Sequence, residues 1–200
     1  MQEGLNAIEV PSGYTLELEG EIKGSQESNS KLFGYAPHAL FLIMLLLVLQ
    51  FNSFRRSAII LLTIPLVIIG ANFGLMIFSA FFDFTAMLGL FSLAGIIVNN
   101  GIVMIDRIDQ ARDEGLVVDA AVTIAALARA RPIIMTTITT IAGLLPLALF
   151  GGEFWYGMAI VIMCGLGMGT ILTLGFVPVL YSLMFRYKDA APATATEHAI

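Results

Sequence analysis

Five long apolar stretches follow one another along the chain, and each is bounded by polar or charged residues. They span residues 35–51, 57–80, 84–105, 132–150 and 155–185. Each is close to the roughly 20 residues that an α-helix needs to cross the hydrocarbon core of a bilayer. The first is near the lower limit, and the last is long enough to tilt or to extend beyond the membrane. The pattern predicts five membrane-spanning helices.

The segments outside these stretches follow different patterns. YTLELEGEI, residues 14–22, alternates apolar and polar positions, which is typical of a β-strand with one solvated face. The connection before the fourth stretch has apolar residues at helical spacing, which predicts a short amphipathic helix near residues 117–130. We therefore expect a β-containing segment in residues 1–35, a transmembrane domain in residues 36–188 and a disordered tail in residues 189–200.

Composition agrees with this division. Hydrophobic residues make up 58% of the chain and charged residues 12%, whereas a soluble domain is about a quarter charged. The single cysteine, Cys164, excludes an intrachain disulfide and a cysteine-based metal site. The predicted fold class is an all-α membrane protein of five transmembrane helices preceded by a short β-containing segment.

The distribution of basic residues predicts the orientation. Eight of the ten Lys and Arg residues lie in the connections after the first and third stretches and after the fifth. The positive-inside rule makes these segments cytoplasmic. The N-terminal segment is then expected on the opposite side of the membrane, and the C-terminus on the cytoplasmic side.

A polar stripe runs along the third apolar stretch. Thr85, Ser92, Asn99 and Asp106 recur every seven residues, which is nearly two helical turns. Asn100 points about 100° away from Asn99. An unpaired amide in hydrocarbon costs several kcal/mol. The stripe is therefore predicted to face protein or water rather than lipid.

The fourth and fifth stretches carry similar patterns. Arg129, Thr136 and Gly143 are seven residues apart, and Thr140 lies one turn beyond Thr136. The fifth stretch has small residues at spacing four, namely Gly165, Gly169 and Thr173. Such residues let helix backbones approach closely.

Two interpretations of these polar residues remain open. They are helix-packing contacts, as we expect for Thr85 and Thr137, or they line an ion or proton pathway. The primary pathway candidates are Asn99, Asn100, Arg129 and Thr136, and the secondary candidates are Ser92, Asp106 and Thr140. Asp106 also fits a solvated boundary pair with Arg107. An intramembrane hydrolase is disfavoured, because the only histidines are His38, at the start of the first stretch, and His198, in the tail, so no base is expected beside Ser92. No catalytic residue and no metal site is predicted.

Three ordered motifs carry a family resemblance: LAGIIVNNGIVMIDRIDQARDEG, RARPIIMTTITTIAGLLPLAL and FVPVLYSLMFR. Together they resemble the C-terminal part of the inner-membrane subunit of a resistance–nodulation–division (RND) efflux pump, from PSGYTLELEGE to Arg186. The resemblance implies that the five stretches are the last five helices of a twelve-helix transporter. Residues 1–35 would be the end of its periplasmic porter region, and residues 107–131 the cytoplasmic connection between helices ten and eleven.

The resemblance also implies a function and partners. Pumps of this family use the proton gradient to export compounds from bacterial cells. They work as homotrimers in the inner membrane, with a periplasmic adaptor and an outer-membrane channel. The N-terminal segment would be periplasmic and the C-terminus cytoplasmic. Protons, the lipid bilayer and the remainder of the transporter are the expected partners, and no cofactor or nucleic acid is expected.

The family's proton relay can be placed on this sequence by position. Its members carry two aspartates on helix four, a lysine on helix ten, and an arginine and a threonine on helix eleven. The last two match Arg129 and Thr136, the lysine position matches Asn99, and the next asparagine matches Asn100. An amide can hydrogen-bond a carboxylate but cannot neutralise it. We therefore expect Asn99 to donate to a carboxylate pair that stays partly protonated, and the substitution leaves the coupling cation open.

Two further expectations follow from the same positions. Metal-exporting members carry an acidic residue near Asn99, so hydrophobic or amphipathic substrates are predicted here. The alternative function is an inactive membrane fragment or an accessory protein with a structural or assembly role. This alternative rests on the scarcity of intramembrane aspartates, because Asp106 lies only at the boundary and half of a relay cannot move protons.

Overall fold

The computed structural model describes residues 21–189 of the chain, with side chains described for residues 30–185. Within this part the regular structure is entirely helical. We number the helices α1 (Glu21–Phe51), α2 (Phe54–Ile77), α3 (Phe84–Asp113), α4 (Val118–Phe150), α5 (Gly152–Ile171) and α6 (Val177–Asp189). A π-helical turn, Leu172–Phe176, joins α5 to α6 without a break in the helical backbone.

Five helical segments of the described chain are long and apolar enough to cross a membrane. They are Ser30–Phe51, Phe54–Ile77, Phe84–Asp113, Val118–Phe150 and Gly152–Phe185. The prediction of five long apolar helices is therefore confirmed, although several of them extend further than the apolar stretches that predicted them.

The structure describes only the end of the segment in which a β-strand was predicted. Most of the expected strand, residues 14–20, lies outside the described residues, while its last two residues, Glu21 and Ile22, already belong to α1. The polar run that follows also belongs to α1. At the other end α6 ends at Asp189, and residues 190–200 of the expected tail lie outside the described residues.

The amphipathic segment before the fourth stretch is not a separate helix. The structure joins it to the fourth span in one 33-residue helix, α4, with Pro132 in its interior. A proline removes its own N–H donor but does not have to end a helix whose neighbours favour it, and this segment is rich in alanine. Val118, Ala121 and Ala125 are buried along one face, as the helical spacing predicts.

The fifth span is interrupted by the π turn. The N–H of Val177 donates to the carbonyl of Leu172, five residues earlier. The next residue, Pro178, has no N–H. A π turn and a proline are both recognised causes of local distortion in a helix, and here the two are adjacent.

Helix α5 lies at the centre of the bundle and packs against α2, α3 and α4. Its glycines allow the close approach that their spacing predicts. A Cβ atom at Gly165 would collide with Leu93 and lie 3.3 Å from the Cβ of Ala71. Helix α1 is peripheral and buries Leu47 and Phe51, while most of its other apolar side chains are exposed.

The two ends of the bundle differ in charge. One end carries Arg56, Arg107 and Arg112, and we call it the arginine end. The opposite end carries Asp83 and Glu153, and we call it the Asp83 end. The helices alternate in direction between these two ends, as expected for consecutive membrane spans.

Candidate functional site

The polar stripe predicted on α3 is mostly open at the surface of the described bundle. Ser92 and Asn99 are exposed, and a Cβ atom added at Gly95 would meet nothing within 4 Å. Thr85 differs, because it is buried and its hydroxyl lies 2.7 Å from the carbonyl oxygen of Phe154. The end of the stripe at Thr85 therefore serves helix packing, as expected, whereas Ser92 and Asn99 make no side-chain hydrogen bond to the described residues.

A second open polar stripe lies on α4, which packs against α3. Thr136 is exposed and Thr140 is half-buried. The Thr136 hydroxyl donates within its own helix, 2.8 Å from the carbonyl of Ile133. This bond satisfies its donor and leaves oxygen lone pairs that can accept. One turn beyond Thr140, a Cβ atom at Gly143 would meet nothing within 4 Å.

The structure does not join the four primary candidates to one another. Among the described residues, Asn99 and Asn100 make no side-chain hydrogen bond, and neither is linked to Arg129 or Thr136. Arg129 is half-buried, and its Nε atom is buried without a hydrogen-bond partner. A buried unpaired donor costs about 1–3 kcal/mol. The side-chain amides of Asn99 and Asn100 and the Nε atom of Arg129 thus have no hydrogen-bond partner among the described residues.

Asp106, a secondary candidate, takes part in a local network near the arginine end. Gln110 Nε2 donates to its carboxylate at 2.7 Å, and Arg107 donates to Gln110 Oε1 at 3.3 Å. Arg107 also pairs with Glu114 at 3.7 Å. Asp106 and Arg107 are therefore connected through Gln110 rather than by a direct ion pair.

Sequence reasoning missed a polar cluster at the arginine end that links three helices. The Asp109 carboxylate on α3 accepts from Tyr181 Oη on α6 at 2.7 Å and pairs with Arg56 on α2 at 3.1 Å. The Phe185 ring stacks on Tyr181 with centroids 4.5 Å apart. The guanidinium groups of Arg56 and Arg112 lie 5.9 and 6.0 Å from the Phe185 centroid, within cation–π range.

We call these five residues the Asp109 cluster. One signal could have located it. Ile105, Ile108 and Ala111 are all fully buried at helical spacing, so the apolar face of α3 continues past residue 105. Because Asp109 follows Ile108 directly and lies one turn after Ile105, it is placed beside the core rather than in open solvent.

Two buried threonines join α4 to α5 in the interior. Thr137 Oγ1 and Thr170 Oγ1 are 2.6 Å apart, and each also lies within hydrogen-bonding distance of a carbonyl of its own helix. Thr137 is thus a helix-packing residue, as expected. Within the described residues, no group of three or more His, Cys, Asp or Glu is placed to hold a metal ion.

Comparison with known proteins finds relatives that match nearly the whole chain. The model of the AcrB/AcrD/AcrF family matches residues 1–185. The cobalt-zinc-cadmium resistance protein CzcA of Cupriavidus metallidurans is 33% identical over 190 residues, which cover 94% of this chain and 18% of that protein. The swarming motility protein SwrC of Bacillus subtilis is 33% identical over 201 residues, covering 98% of this chain and 19% of SwrC.

Two further matches are a multidrug resistance protein and a solved structure. The multidrug resistance protein MdtC of Erwinia tasmaniensis is 33% identical over 192 residues, covering 94% of this chain and 19% of MdtC. A crystal structure of a heavy metal efflux pump superposes with a TM-score of 0.74 at 28% identity, over 88% of this chain and 18% of the pump. The chain thus spans less than a fifth of the length of these relatives.

Proposed function

The chain belongs to the AcrB/AcrD/AcrF family of RND transporters, and from this premise we propose that it supplies helices of a proton-driven efflux pump. One observation carries the proposal. Among the described residues, exposed Asn99 on α3 makes no side-chain hydrogen bond, and exposed Thr136 on α4 bonds only carbonyls of its own helix. Polar groups at membrane depth need protein or water around them. We propose that the remainder of the transporter, including a helix with an aspartate pair, covers them.

Each candidate then has a distinct role. Asn99 donates hydrogen bonds to one carboxylate of the aspartate pair, which stays partly protonated because an amide brings no compensating charge. Arg129 brings a positive charge on a side chain that is half-buried on α4. Thr136 has lone pairs available after bonding Ile133. Asn100 and Thr140 extend the relay, and Ser92 and Asp106 mark its two ends on α3.

We propose hydrophobic or amphipathic compounds as the exported substrates. Two observations support this choice. No acidic residue lies beside Asn99 in the sequence, and Asp106, two turns away, is engaged by Gln110. The names of the relatives do not decide between substrate classes, because they include both cobalt-zinc-cadmium resistance and multidrug resistance. The transport test therefore needs a metal arm with Co²⁺, Zn²⁺ and Cd²⁺ and an amphiphile arm with cationic dyes and detergents.

The assembly that we propose follows the family. The pump is a homotrimer in the bacterial inner membrane, joined by a periplasmic adaptor and an outer-membrane channel. The arginine end of the bundle faces the cytoplasm by the positive-inside rule, and the Asp83 end faces the periplasm.

The decisive substitution is at Asn99. In the complete transporter, Asn99→Ala and Asn99→Leu should each lower proton-coupled efflux about tenfold or more, because a hydrogen bond to a charged group contributes about 1.5–3 kcal/mol. Efflux is followed by dye accumulation in whole cells and by proton flux in proteoliposomes. Asn72→Ala, which removes an exposed amide from α2, is the matched control and should retain efflux. Full activity of both Asn99 variants, at equal protein levels, would reduce Asn99 to a packing residue.

A second candidate function is a structural or assembly role without transport by this chain alone. It is favoured by the small share of the relatives that the chain spans and by the position of the described acidic residues near helix ends. Cells expressing this chain, the complete transporter, and neither are compared for substrate accumulation. Lowered accumulation with this chain alone would reject the second candidate.

A further inference from the structure

The π turn in the last helix contains a buried polar side chain without a partner. Thr173 is 0% exposed, and its Oγ1 atom makes no hydrogen bond. The other buried threonines that the structure describes all have a hydrogen-bond partner: Thr63, Thr85, Thr137 and Thr170. Thr173 is therefore the exception among them, and buried polar groups that lack a partner call for an explanation.

The backbone carbonyl of Thr173 also lacks a hydrogen-bond donor from its own helix. The N–H of Val177, which an α-helix would direct to the carbonyl of Thr173, donates instead to Leu172. The next N–H in the π pattern would come from residue 178, which is a proline and has none. The hydroxyl and the carbonyl of Thr173 are thus both left without a helix partner.

The surroundings of Thr173 follow from the close contacts of α5. Two layers precede it on the same face: Gly165 with Leu93 and Ala71, then Gly169 with Ile97 and Val67. Each step of four residues along α5 is matched by a step of four along α3 and α2. One further step of the same spacing brings Thr173 to the level of Gly101 of α3 and Thr63 of α2, and the π turn contacts both of these helices.

The polar atoms of this layer come from two helices. Thr63 is 0% exposed and donates to the carbonyl of Ile60 at 2.6 Å, so its oxygen still has a lone pair that can accept. Ile60 of α2 fills the space beside Gly101, since its Cγ2 atom would lie 3.2 Å from a Cβ atom at Gly101, so Thr173 and Thr63 supply the polar atoms of this layer. No acidic residue belongs to it, so a small neutral group that both donates and accepts suits it better than a cation.

We propose that the π turn binds one ordered water molecule in the core of the bundle. The water bonds the hydroxyl and the carbonyl of Thr173 and lies within reach of Thr63. It thereby takes the place of the N–H that Pro178 lacks. Buried waters typically make about three hydrogen bonds to groups that are otherwise unsatisfied, and this layer offers that number. The proposal concerns the packing of the last helix and holds whether or not the chain acts in proton transport.

The direct test is a structure, at a resolution that shows ordered water, of the complete polypeptide that carries this sequence. We expect density within hydrogen-bonding distance of Thr173 Oγ1. The density should persist in Thr173→Ser, which keeps the hydroxyl, and should be lost in Thr173→Val. Absence of density in the unsubstituted protein would overturn the proposal.

Thermal unfolding gives an independent test through the sign of its shift. Valine has nearly the shape of threonine without the hydroxyl. If the hydroxyl were dry and unpaired, Thr173→Val would raise Tm, whereas a hydroxyl that holds water predicts a lower Tm. Thr123→Val, at an exposed threonine that bonds the carbonyl of Asp119 at 2.8 Å, gives the baseline for the substitution. A Tm for Thr173→Val at or above this baseline would contradict the bound water.

Discussion

At the scale of single residues, the Asp109 carboxylate is held by donors from two other helices. Tyr181 on α6 and Arg56 on α2 reach it over distances of 2.7 and 3.1 Å. Its side chain is only 17% exposed, so these interactions are screened less than they would be in open solvent. The Asp109 cluster therefore fixes the relative positions of three helices at the arginine end.

Removing the hydroxyl of Tyr181 tests this interpretation. Tyr181→Phe keeps the ring and its stacking on Phe185 but deletes the donor to Asp109. A hydrogen bond to a charged group contributes about 1.5–3 kcal/mol, and we expect the free energy of unfolding to fall by about that amount. Denaturant unfolding of the purified protein measures it.

A matched control exists at the opposite end of the bundle. Tyr156 donates to the carbonyl of Phe78 at 3.4 Å in exposed surroundings. Tyr156→Phe should change the unfolding free energy by no more than about 0.5 kcal/mol. Equal losses for the two substitutions would show that the bond to Asp109 contributes nothing special.

Residue spacing predicted which side chains share a stripe but not what each one meets. Thr85 and Asn99 lie on the same predicted stripe of α3, yet Thr85 is buried and Asn99 is exposed. The difference arises because the carbonyl that Thr85 contacts belongs to Phe154, 69 positions away. The partner of Asp109 is 72 positions away. Such contacts depend on how the helices are arranged, which periodicity alone does not determine.

At the scale of helices, the apolar lengths predicted the number and order of the spans, and the glycines predicted the central packing. The boundaries were less predictable. The fourth apolar stretch begins at Pro132, but α4 begins at Val118, because the alanine-rich segment before the proline also favours a helix. The π turn at residues 172–176 has no clear sequence signal other than Pro178 beside it.

The contact of α5 with α2 and α3 gives a steric prediction. A Cβ atom at Gly169 would collide with Ile97 and lie 3.4 Å from Val67 Cγ2. Gly169→Val should therefore lower the free energy of unfolding by about 1–3 kcal/mol through overpacking. Gly167→Val is the matched control, because a Cβ atom there would meet nothing within 4 Å. If both variants had the same thermal stability, close packing at Gly169 would not be a constraint.

At the scale of the whole molecule, much of the surface consists of large apolar side chains. Under the proposed function, lipid covers the apolar part of this surface and the remainder of the transporter covers the polar stripes. Asn99 and Thr136 should then be shielded from lipid in the complete transporter, although both are exposed on this chain. Ile138 is exposed about 200° around α4 from Thr136 and should remain in lipid.

Brominated lipids distinguish these environments. A fluorescent label is attached to a cysteine at position 99, 136 or 138, in a background that carries Cys164→Ala. We expect weak quenching at positions 99 and 136 in the complete transporter and strong quenching at 138. With this chain alone, all three should be strongly quenched. Strong quenching at 99 and 136 in the complete transporter would remove the basis for a relay at this surface.

The unbroken course of α4 has a mechanical consequence. At 1.5 Å per residue, its 33 residues extend about 50 Å, well beyond a hydrocarbon core of about 30 Å. The helix continues through Pro132 between Thr136 and the first turn, so a roll or slide at membrane depth is expected to reach Asp119, whose carboxylate accepts from Ser182 on α6 at 2.9 Å. Motion of α4 within the hydrocarbon core would therefore strain the hydrogen bond between Ser182 and Asp119, which ties the first turn of α4 to α6.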